Sequence, residues 1–259
     1  MRSVLLDLDG VLYVGDEGVR GASKVVDWLK NHSIPFLFLT NTTSRPRSQL
    51  VDKLAQFDIE STVDEFLTPP VAACHWLRQH SSGSIALFVP PATQEEFQEF
   101  SILEDDAVEG ASAVVVGDLG MGWNFERLNR AFRLLMGQPK PVLIALGMTR
   151  FWNAPEGLRL DTAPYVMALQ HASDADVVVT GKPAVAFYQA AINMLGTAPK
   201  ETLMVGDDIR GDIEGAQKAG LKAALVRTGK FRSGDLDSEV KPDGLLNSIA
   251  DLPIWWQNS

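Results

Sequence analysis

Short apolar runs alternate with helical stripes along most of this chain, and this alternation constrains the fold more than any other feature. The runs cover residues 3–6, 36–39, 202–205 and 222–226, and apolar residues recur at helical spacing between them. Strands that are joined by helices form parallel sheets, because parallel neighbours need a crossover connection. We therefore predict an α/β fold whose core is a Rossmann-like, doubly wound parallel sheet.

A different pattern occupies the middle of the chain. A second series of short strands and helices begins near residue 84, and the first pattern returns later. The stretch 147–164 mixes aromatic, proline, glycine and charged residues, so we expect a long loop or a strand edge there, where recognition residues commonly lie. The predicted organisation is a core formed by residues 1–78 and 176–259, interrupted by a smaller inserted α/β cap domain at residues 79–175.

Composition argues against several classes of protein. The formal net charge of -10 would repel nucleic acid backbones, and no apolar run approaches the ~20 residues of a membrane span. We therefore expect neither nucleic acid nor a membrane as a partner. The one cysteine, Cys74, cannot form an internal disulfide, and the first residues lack a secretory signal, which favours the cytoplasm. A phosphorylated substrate would need locally placed cations, because the net charge repels it at long range.

Two carboxylates follow the first apolar run, Asp7 and Asp9. On a continuous strand they would share a face about 6.6 Å apart. Repulsion between two partly desolvated carboxylates raises the pKa of at least one of them, unless a cation or strong donors lie between them. The alternative is a solvated Asp-Gly turn that simply closes the strand.

Polar groups also follow three other apolar runs. Thr40 and Asn41 follow "FLFL", Lys182 follows "VVVTG", and Asp207 and Asp208 follow "TLMVG". The carboxyl ends of parallel strands meet at one edge of the sheet, so these groups should converge there with the first two acids. Carboxylates that gather without enough basic partners require a cation, and an all-oxygen set suits Mg²⁺.

At these four points the sequence resembles the haloacid dehalogenase superfamily of phosphotransferases, over nearly the whole chain. "DLDGVLY" is similar to its nucleophile motif, "LTN" to its phosphate-contacting motif, "GKP" to its lysine motif and "GDDIRGDIEGAQKAG" to its acidic metal motif. The insertion resembles the large α/β cap of class IIA members. "GDDIRGD" and "VRTGKFR" resemble the branch of haloacid dehalogenase-like hydrolase domain-containing protein 2 and phospholysine phosphohistidine inorganic pyrophosphate phosphatase.

The resemblance implies a role in the reaction for each residue that matches a motif. Asp7 matches the nucleophile that forms an aspartyl-phosphate, and Asp9 matches the general acid and base. Thr40 and Asn41 match the groups that hold the phosphoryl oxygens. Lys182 matches the cation that screens the nucleophile and the phosphoryl charge.

The resemblance also implies a Mg²⁺ site. Its expected ligands are the carboxylates of Asp7 and Asp207 and the backbone carbonyl of Asp9. Asp208 and Asp212 resemble acids that do not bind the metal but hold the metal ligands in position.

The implied function is a Mg²⁺-dependent phosphatase for a small phosphorylated metabolite or pyrophosphate. A phosphotransferase or mutase that uses the same intermediate is an alternative, and so is a non-enzymatic phosphoacceptor regulatory module. The Asp-x-Asp spacing and the large insertion favour the enzyme, because a second acid permits turnover and a cap excludes bulk water.

Substrate recognition is expected from the cap. The candidate residues lie in "RFWNAPEGLRLD" and are Trp152, Asn153, Glu156 and Arg159. An arginine there would suit a second phosphate or a carboxylate, although surface solvation is its default role. The resemblance also suggests that two chains could form a homodimer through the cap, but the sequence leaves the oligomeric state open.

Overall fold

The structure, a computed structural model, describes residues 1–43, 45–154 and 156–258, without the side chains of residues 152–154. The strands are β1 (Ser3–Asp7), β2 (Tyr13–Val14), β3 (Glu17–Gly18), β4 (Phe36–Leu39), β5 (Phe66–Leu67), β6 (Ile85–Phe88), β7 (Ala113–Val116), β8 (Val142–Ala145), β9 (Phe151–Ala154), β10 (Gly157–Leu160), β11 (Val177–Val179), β12 (Thr202–Gly206), β13 (Lys222–Val226) and β14 (Gly244–Leu246). The helices are α1 (Ala22–Asn31), α2 (Arg47–Ala55), α3 (Pro69–His80), α4 (Pro91–Gln94), α5 (Phe125–Leu135), α6 (Thr162–Ser173), α7 (Val185–Leu195), α8 (Gly215–Lys218) and α9 (Leu252–Gln257). None of the helices in these ranges combines the length and the hydropathy needed to cross a membrane.

These residues form two compact units. The first comprises Met1–Thr40, Arg47–Leu67 and Lys182–Ser259, and the second comprises Asn41–Pro46 and Thr68–Gly181. Helix α3 and strand β11 therefore group with the second unit, although the predicted insertion spans only residues 79–175. Helix α3 groups with the second unit because its buried apolar face packs in the core of that unit. The domain boundaries themselves stay a prediction.

The first unit is built on a six-stranded parallel sheet in the order β14-β13-β12-β1-β4-β5. From β1 the chain moves to β4 and β5 on one side, and it later returns to β12, β13 and β14 on the other. The order of the strands thus reverses between β1 and β12. In an open α/β sheet, the crevice at such a switch point is where ligands bind. The predicted doubly wound parallel sheet is confirmed.

Burial explains the near-continuous apolar character of these strands. Strand β1 pairs with β12 and β4 on its two sides and is buried along its whole length. Val4 and Leu6 pack in one cluster with Val25 and Leu29 of α1 and with Leu54 of α2. Helices α7 and α8 contact each other, and they contact β4 and β13, respectively. A strand covered in this way has no solvent face, so alternation is lost.

The second unit has a four-stranded parallel sheet in the order β11-β8-β7-β6. Alternate residues of β7 enter different clusters: Val114 and Val116 pack with α5 and α6, whereas Ala113 and Val115 pack with α3. The stretch 147–164 is not a long loop, because β9 and β10 form a separate antiparallel two-stranded sheet within it, in which both are edge strands. Gly157, with φ of 123°, directly follows the connection between these strands. A side chain would disfavour that backbone conformation.

Candidate active site at the carboxyl edge of the first sheet

The chain turns sharply where β1 ends. Asp7 is the last residue of β1 and is 6% exposed, whereas Asp9 is exposed. The N–H of Gly10 donates to the carbonyl of Tyr13, and Gly10 has a φ of 93°. The expectation that Asp7 and Asp9 share a strand face is therefore wrong, because the strand does not continue to the second acid.

Three buried acids come together at the switch point. Asp7 ends β1, Asp207 directly follows β12, and Asp212 lies in a π-helical segment, Ile209–Glu214. One carboxylate oxygen from each lies within 4.8 Å of the others. Asp212, expected as a supporting acid, lies directly beside the other two. A π-helical turn is rare and is frequently found at functional sites.

Lys182 is the cation of this acidic group. Its Nζ donates to Asp7 Oδ1 at 2.5 Å and to Asp212 Oδ1 at 2.7 Å, and its side chain is 6% exposed. Burial opposes its charge, but the two carboxylates outweigh burial and raise the pKa of Lys182. The lysine therefore stays protonated between the two acids.

Asp212 is fully engaged by its neighbours. Its Oδ1 accepts from Lys182, and its Oδ2 accepts the backbone N–H groups of Asp207 and Asp208, each at 3.2 Å. A Cβ on Gly206 would collide with the Asp212 side chain, so only glycine fits at the end of β12. Asp212 therefore positions Lys182 and the loop that carries Asp207.

Asp207 keeps one carboxylate oxygen unused. Its Oδ2 accepts the backbone N–H of Lys230 at 2.7 Å, whereas its Oδ1 is buried without a hydrogen-bond partner in the described ranges. Gly10 and Gly229 enclose the carboxylate, because a Cβ at either position would overlap it. Both glycines have positive φ, which L side chains avoid. An orphaned carboxylate oxygen in a tight enclosure is costly unless a cation binds it.

Burial changes the ionisation of two acids of this group, Asp7 and Asp207. Burial raises the pKa of Asp7 to about 7; Lys182 opposes this shift, and the charges of Asp212 and Asp207 add to it. Burial also raises the pKa of Asp207 to about 6, opposed by the N–H of Lys230. The acids that act on Asp7 are thus Asp212 and Asp207, rather than Asp9 as the sequence suggested.

A divalent cation fits this chemistry. Lys182 occupies Oδ1 of Asp7, and both oxygens of Asp212 already accept hydrogen bonds. Oδ2 of Asp7 and Oδ1 of Asp207 are therefore the carboxylate oxygens best suited to hold an ion. Hard oxygen ligands in small number suit Mg²⁺, which keeps several of its waters.

Three other predicted site residues, Thr40, Asn41 and Asp208, lie outside the group of three buried acids. Thr40 directly follows β4 beside β1, is 8% exposed, and donates its backbone N–H to the carbonyl of Leu67 at 3.3 Å. Asn41 begins the second unit. Asp208 caps the π-helical segment, with its Oδ1 accepting from the backbone N–H groups of Arg210 and Gly211. The roles of these residues in a reaction stay predictions.

The cap candidates lie on and beside the β9–β10 pair of the second unit. Arg159 forms an ion pair with Glu156 and stands opposite Trp152 in the strand register. The side chains of Trp152 and Asn153 lie outside the described residues. Recognition by these four residues stays a prediction.

The segment that follows β13 contacts the acidic group, although it was not among the predicted site residues. Thr228 Oγ1 donates to the carbonyl of Gly10 at 2.5 Å, and Lys230 contacts two acids, through its backbone to Asp207 and through its side chain to Asp208. The signal was available, because β13 is the neighbour of β12 and its carboxyl end lies at the same edge. The rule that located the other strand ends applies to this one too.

Comparisons with known proteins agree with the four motifs. A family model described as haloacid dehalogenase-like hydrolase matches residues 4–102, and one described as HAD-hydrolase-like matches residues 179–252. The chain is 36% identical over 256 residues to phospholysine phosphohistidine inorganic pyrophosphate phosphatase from Bos taurus, covering 97% of this chain and 92% of that protein. It is 35% identical over 238 residues to haloacid dehalogenase-like hydrolase domain-containing protein 2 from Bos taurus, covering 92% and 88%.

A solved structure supports the same assignment. The p-nitrophenyl phosphatase from Archaeoglobus fulgidus has a TM-score of 0.83 and 26% sequence identity, with 97% of each chain covered. The resemblance that the sequence indicated, down to the branch, is confirmed. At 36% identity over 97% of its length to a curated relative, this protein is an enzyme that belongs to the haloacid dehalogenase-like hydrolase family.

Proposed function

We propose that this protein is a cytoplasmic, Mg²⁺-dependent phosphatase, which hydrolyses a small phosphorylated metabolite or pyrophosphate through an aspartyl-phosphate on Asp7. The observation that carries the proposal is the buried group of Asp7, Asp207 and Lys182 at the switch point of the sheet. Two similar proteins are named as phosphatases, and one of those names includes inorganic pyrophosphate. These names support phosphoryl compounds as the substrate class.

Nucleophilic attack by Asp7 is the first step of the proposed reaction. One of its carboxylate oxygens attacks phosphorus, and the bond between phosphorus and the leaving oxygen breaks. Repulsion between an anionic nucleophile and an anionic phosphate is the obstacle to this step, so charge neutralisation dominates catalysis. Lys182, at 2.5 Å from Asp7 Oδ1, supplies positive charge, and Asp212 holds that lysine in place.

Asp9 is proposed as the general acid and then the general base. Its exposed side chain, beyond the end of β1, is accessible to a leaving group and to water. It donates a proton to the leaving oxygen while the aspartyl-phosphate forms. It then accepts a proton from the water that attacks phosphorus, which releases orthophosphate and restores the Asp7 carboxylate.

Three further elements complete the proposed site. A bound Mg²⁺ ion would supply positive charge that offsets the charge of the transferred phosphoryl group. Asp7 and Asp207 would hold this ion, together with the backbone carbonyl of Asp9 expected from the family resemblance. The hydroxyl of Thr40 and the amide of Asn41 would hold the phosphoryl oxygens by hydrogen bonds.

Phosphate release from p-nitrophenyl phosphate, with Mg²⁺ and with EDTA, tests the proposal. We expect no turnover in EDTA, none by Asp7→Asn, and a loss of about 10²–10⁴-fold for Asp9→Asn. The matched control is Asp27→Asn, which removes the same charge from an exposed position on α1 and should leave activity unchanged. Parental activity of Asp7→Asn, or full activity in EDTA, would contradict the mechanism.

The same assay distinguishes the alternative functions. Transfer of the phosphoryl group to an added alcohol or sugar instead of water would indicate a phosphotransferase or a mutase. Stoichiometric phosphorylation without turnover, and without dependence on Asp9, would indicate a phosphoacceptor regulatory module. Asp9-dependent hydrolysis is the outcome that we expect.

We also propose that two copies of the chain pair through the second unit. Met121, Phe125 and Met167 are apolar side chains that are 86%, 79% and 60% exposed, respectively. Phe125 also lines an apolar groove of about 230 Å³ between α5 and α6. Burying exposed apolar area of this kind favours association. Light scattering should show a dimer that Phe125→Ser weakens, and a monomeric wild-type protein at micromolar concentration would contradict the pairing.

A further inference from the structure

We propose that Lys230 is a specificity-determining residue of this site, and that it binds an anionic group of the substrate outside the phosphoryl group that is transferred. The inference rests on the proposed phosphatase function and adds a residue to it. Lys182 is the motif lysine that contacts the buried acids and serves the reacting phosphoryl group, whereas Lys218, in the acidic metal motif, pairs with Glu214. The question is therefore what a second lysine does beside the same acids.

The backbone of Lys230 is anchored to the acidic group. Its N–H donates to Asp207 Oδ2 at 2.7 Å, and Thr228 Oγ1 donates to the carbonyl of Gly10 at 2.5 Å. Gly229 lies so close to Gly10 that an added Cβ would collide with the Gly10 Cα. These contacts fix the Cα of Lys230 beside Asp207. The four-carbon stem of the side chain is flexible, so Nζ can move within the surroundings of that carboxylate.

The side chain of Lys230 lies further out than Lys182. Its Nζ is 3.6 Å from Asp208 Oδ2, and the two side chains are 66% and 35% exposed. Lys182, by contrast, is 6% exposed between two buried acids. Lys182 is therefore placed for the phosphoryl group that reacts, and Lys230 for a substrate group nearer to solvent.

The ion pair with Asp208 does not prevent the Lys230 side chain from binding another anion. Asp208 is held by the backbone N–H groups of Arg210 and Gly211, which donate to its Oδ1 at 3.0 and 2.8 Å. Asp208 therefore keeps its place whether or not the lysine contacts it. Exposed pairs at such separations stabilise a protein little. A phosphate or phosphonate with two negative charges can take the lysine from this partner, because a dianion attracts the ammonium more strongly than the single charge of a carboxylate does.

A purely electrostatic or structural role for Lys230 leads to a different expectation. If the side chain only offset the charge of Asp208, its removal would weaken every phosphoryl ligand by the same factor. If it binds a second anionic group, the loss falls on ligands that carry two such groups. A comparison of two ligands therefore separates the roles.

Methylenediphosphonate and inorganic phosphate are the two probes. The first carries two phosphonate groups joined by a carbon that hydrolysis does not cleave, and the second carries a single phosphoryl group. Calorimetry on the full chain gives both dissociation constants, at constant free Mg²⁺ because the diphosphonate binds Mg²⁺. We expect Lys230→Ala to weaken the diphosphonate about tenfold more than phosphate, and Lys230→Arg to restore most of that difference. The alanine variant keeps the backbone N–H that holds Asp207.

Lys218→Ala is the matched control, because it removes one positive charge from an exposed residue of α8 that pairs with Glu214 at 2.7 Å. The ratio of the two dissociation constants should not change in this control. Equal losses for both ligands in Lys230→Ala overturn the proposal, as does wild-type protein that binds the diphosphonate no more tightly than phosphate. If Lys230→Ala does not fold, Lys230→Gln gives the same comparison. Failure of the phosphatase proposal would look different, since ligands would bind while p-nitrophenyl phosphate stayed intact.

Discussion

Replacing Gly229 by alanine perturbs the acidic group without changing any charge. Gly229 has a φ of 64°, and a Cβ there would collide with the carboxylate of Asp207. The left-handed conformation costs a non-glycine residue about 1–2 kcal/mol. Displacing Asp207 also disrupts its bond from the Lys230 N–H, and a hydrogen bond to a charged group contributes about 1.5–3 kcal/mol. We expect the free energy of unfolding to fall by about 2.5–5 kcal/mol. Mg²⁺ affinity should fall by at least about tenfold, since a displaced ligand loses its geometry.

Gly15→Ala is the control that measures the free-energy cost of a positive φ without a collision between the added Cβ and a neighbouring residue. Gly15 has a φ of 61°, and nothing lies within 4 Å of its Cβ position. Alanine there should lower the free energy of unfolding by about 1–2 kcal/mol and leave Mg²⁺ binding unchanged. Urea denaturation measures the first quantity, and calorimetric titration with MgCl₂ measures the second. If Gly229→Ala binds Mg²⁺ as tightly as Gly15→Ala does, Asp207 does not hold the ion.

Three other expectations concern neighbouring groups. Lys182→Met should lower kcat by about 10²–10³-fold at saturating Mg²⁺ while circular dichroism stays native, because one buried positive charge is lost. Burial raises the pKa of Asp7 to about 7 and that of Asp207 to about 6, so the folded protein in EDTA binds more protons than the unfolded chain. The stability that these acids contribute is full below about pH 4 and is lost by about pH 7. Urea denaturation in EDTA should show a shallower loss over this range in Asp7→Asn, and identical pH profiles would count against the shifts. Tyr188→Phe removes the hydroxyl that donates to the Gly211 carbonyl at 2.7 Å, which should cost about 1–3 kcal/mol of unfolding free energy in urea.

The sheet, and the position of most residues of the candidate site, could be predicted from the sequence. Apolar runs that end in polar residues located Asp7, Thr40 and Asp207, because parallel strands bring their carboxyl ends to one edge. The reversal of strand order between β1 and β12 then places two of these acids at the same crevice. The apolar pattern and the strand order both point to the same edge of the sheet, so the sequence alone locates this part of the candidate site.

The path of the backbone at the turn after β1 and in the π-helical segment was harder to predict from the sequence. The turn at Gly10, with φ of 93°, separates the environments of Asp7 and Asp9, although their spacing suggested a shared face. Asp212 enters the acidic group because the segment before α8 winds as a π-helix, and apolar periodicity at 3.6 residues does not encode that winding. Side-chain direction at turns and irregular helices depends on backbone angles, which residue type constrains only weakly.

Segments that are held by backbone contacts were the hardest to predict. The anchoring of Lys230 uses its own N–H and close approaches of two glycines, and no side-chain pattern reports such contacts. The β9–β10 pair was expected as a loop or strand edge because its composition is mixed. Antiparallel pairing depends on the turn and the register, which composition does not specify.

Mass spectrometry of acid-quenched reactions shows whether Asp7 carries the phosphoryl group during turnover. Wild-type protein and Asp9→Asn are mixed with p-nitrophenyl phosphate and Mg²⁺, quenched within one turnover, and digested. We expect the peptide containing Asp7 to gain the mass of one phosphoryl group, and this species to persist longer in Asp9→Asn. Phosphate release within that turnover, with no phosphoryl group on Asp7 in either protein, would contradict this expectation.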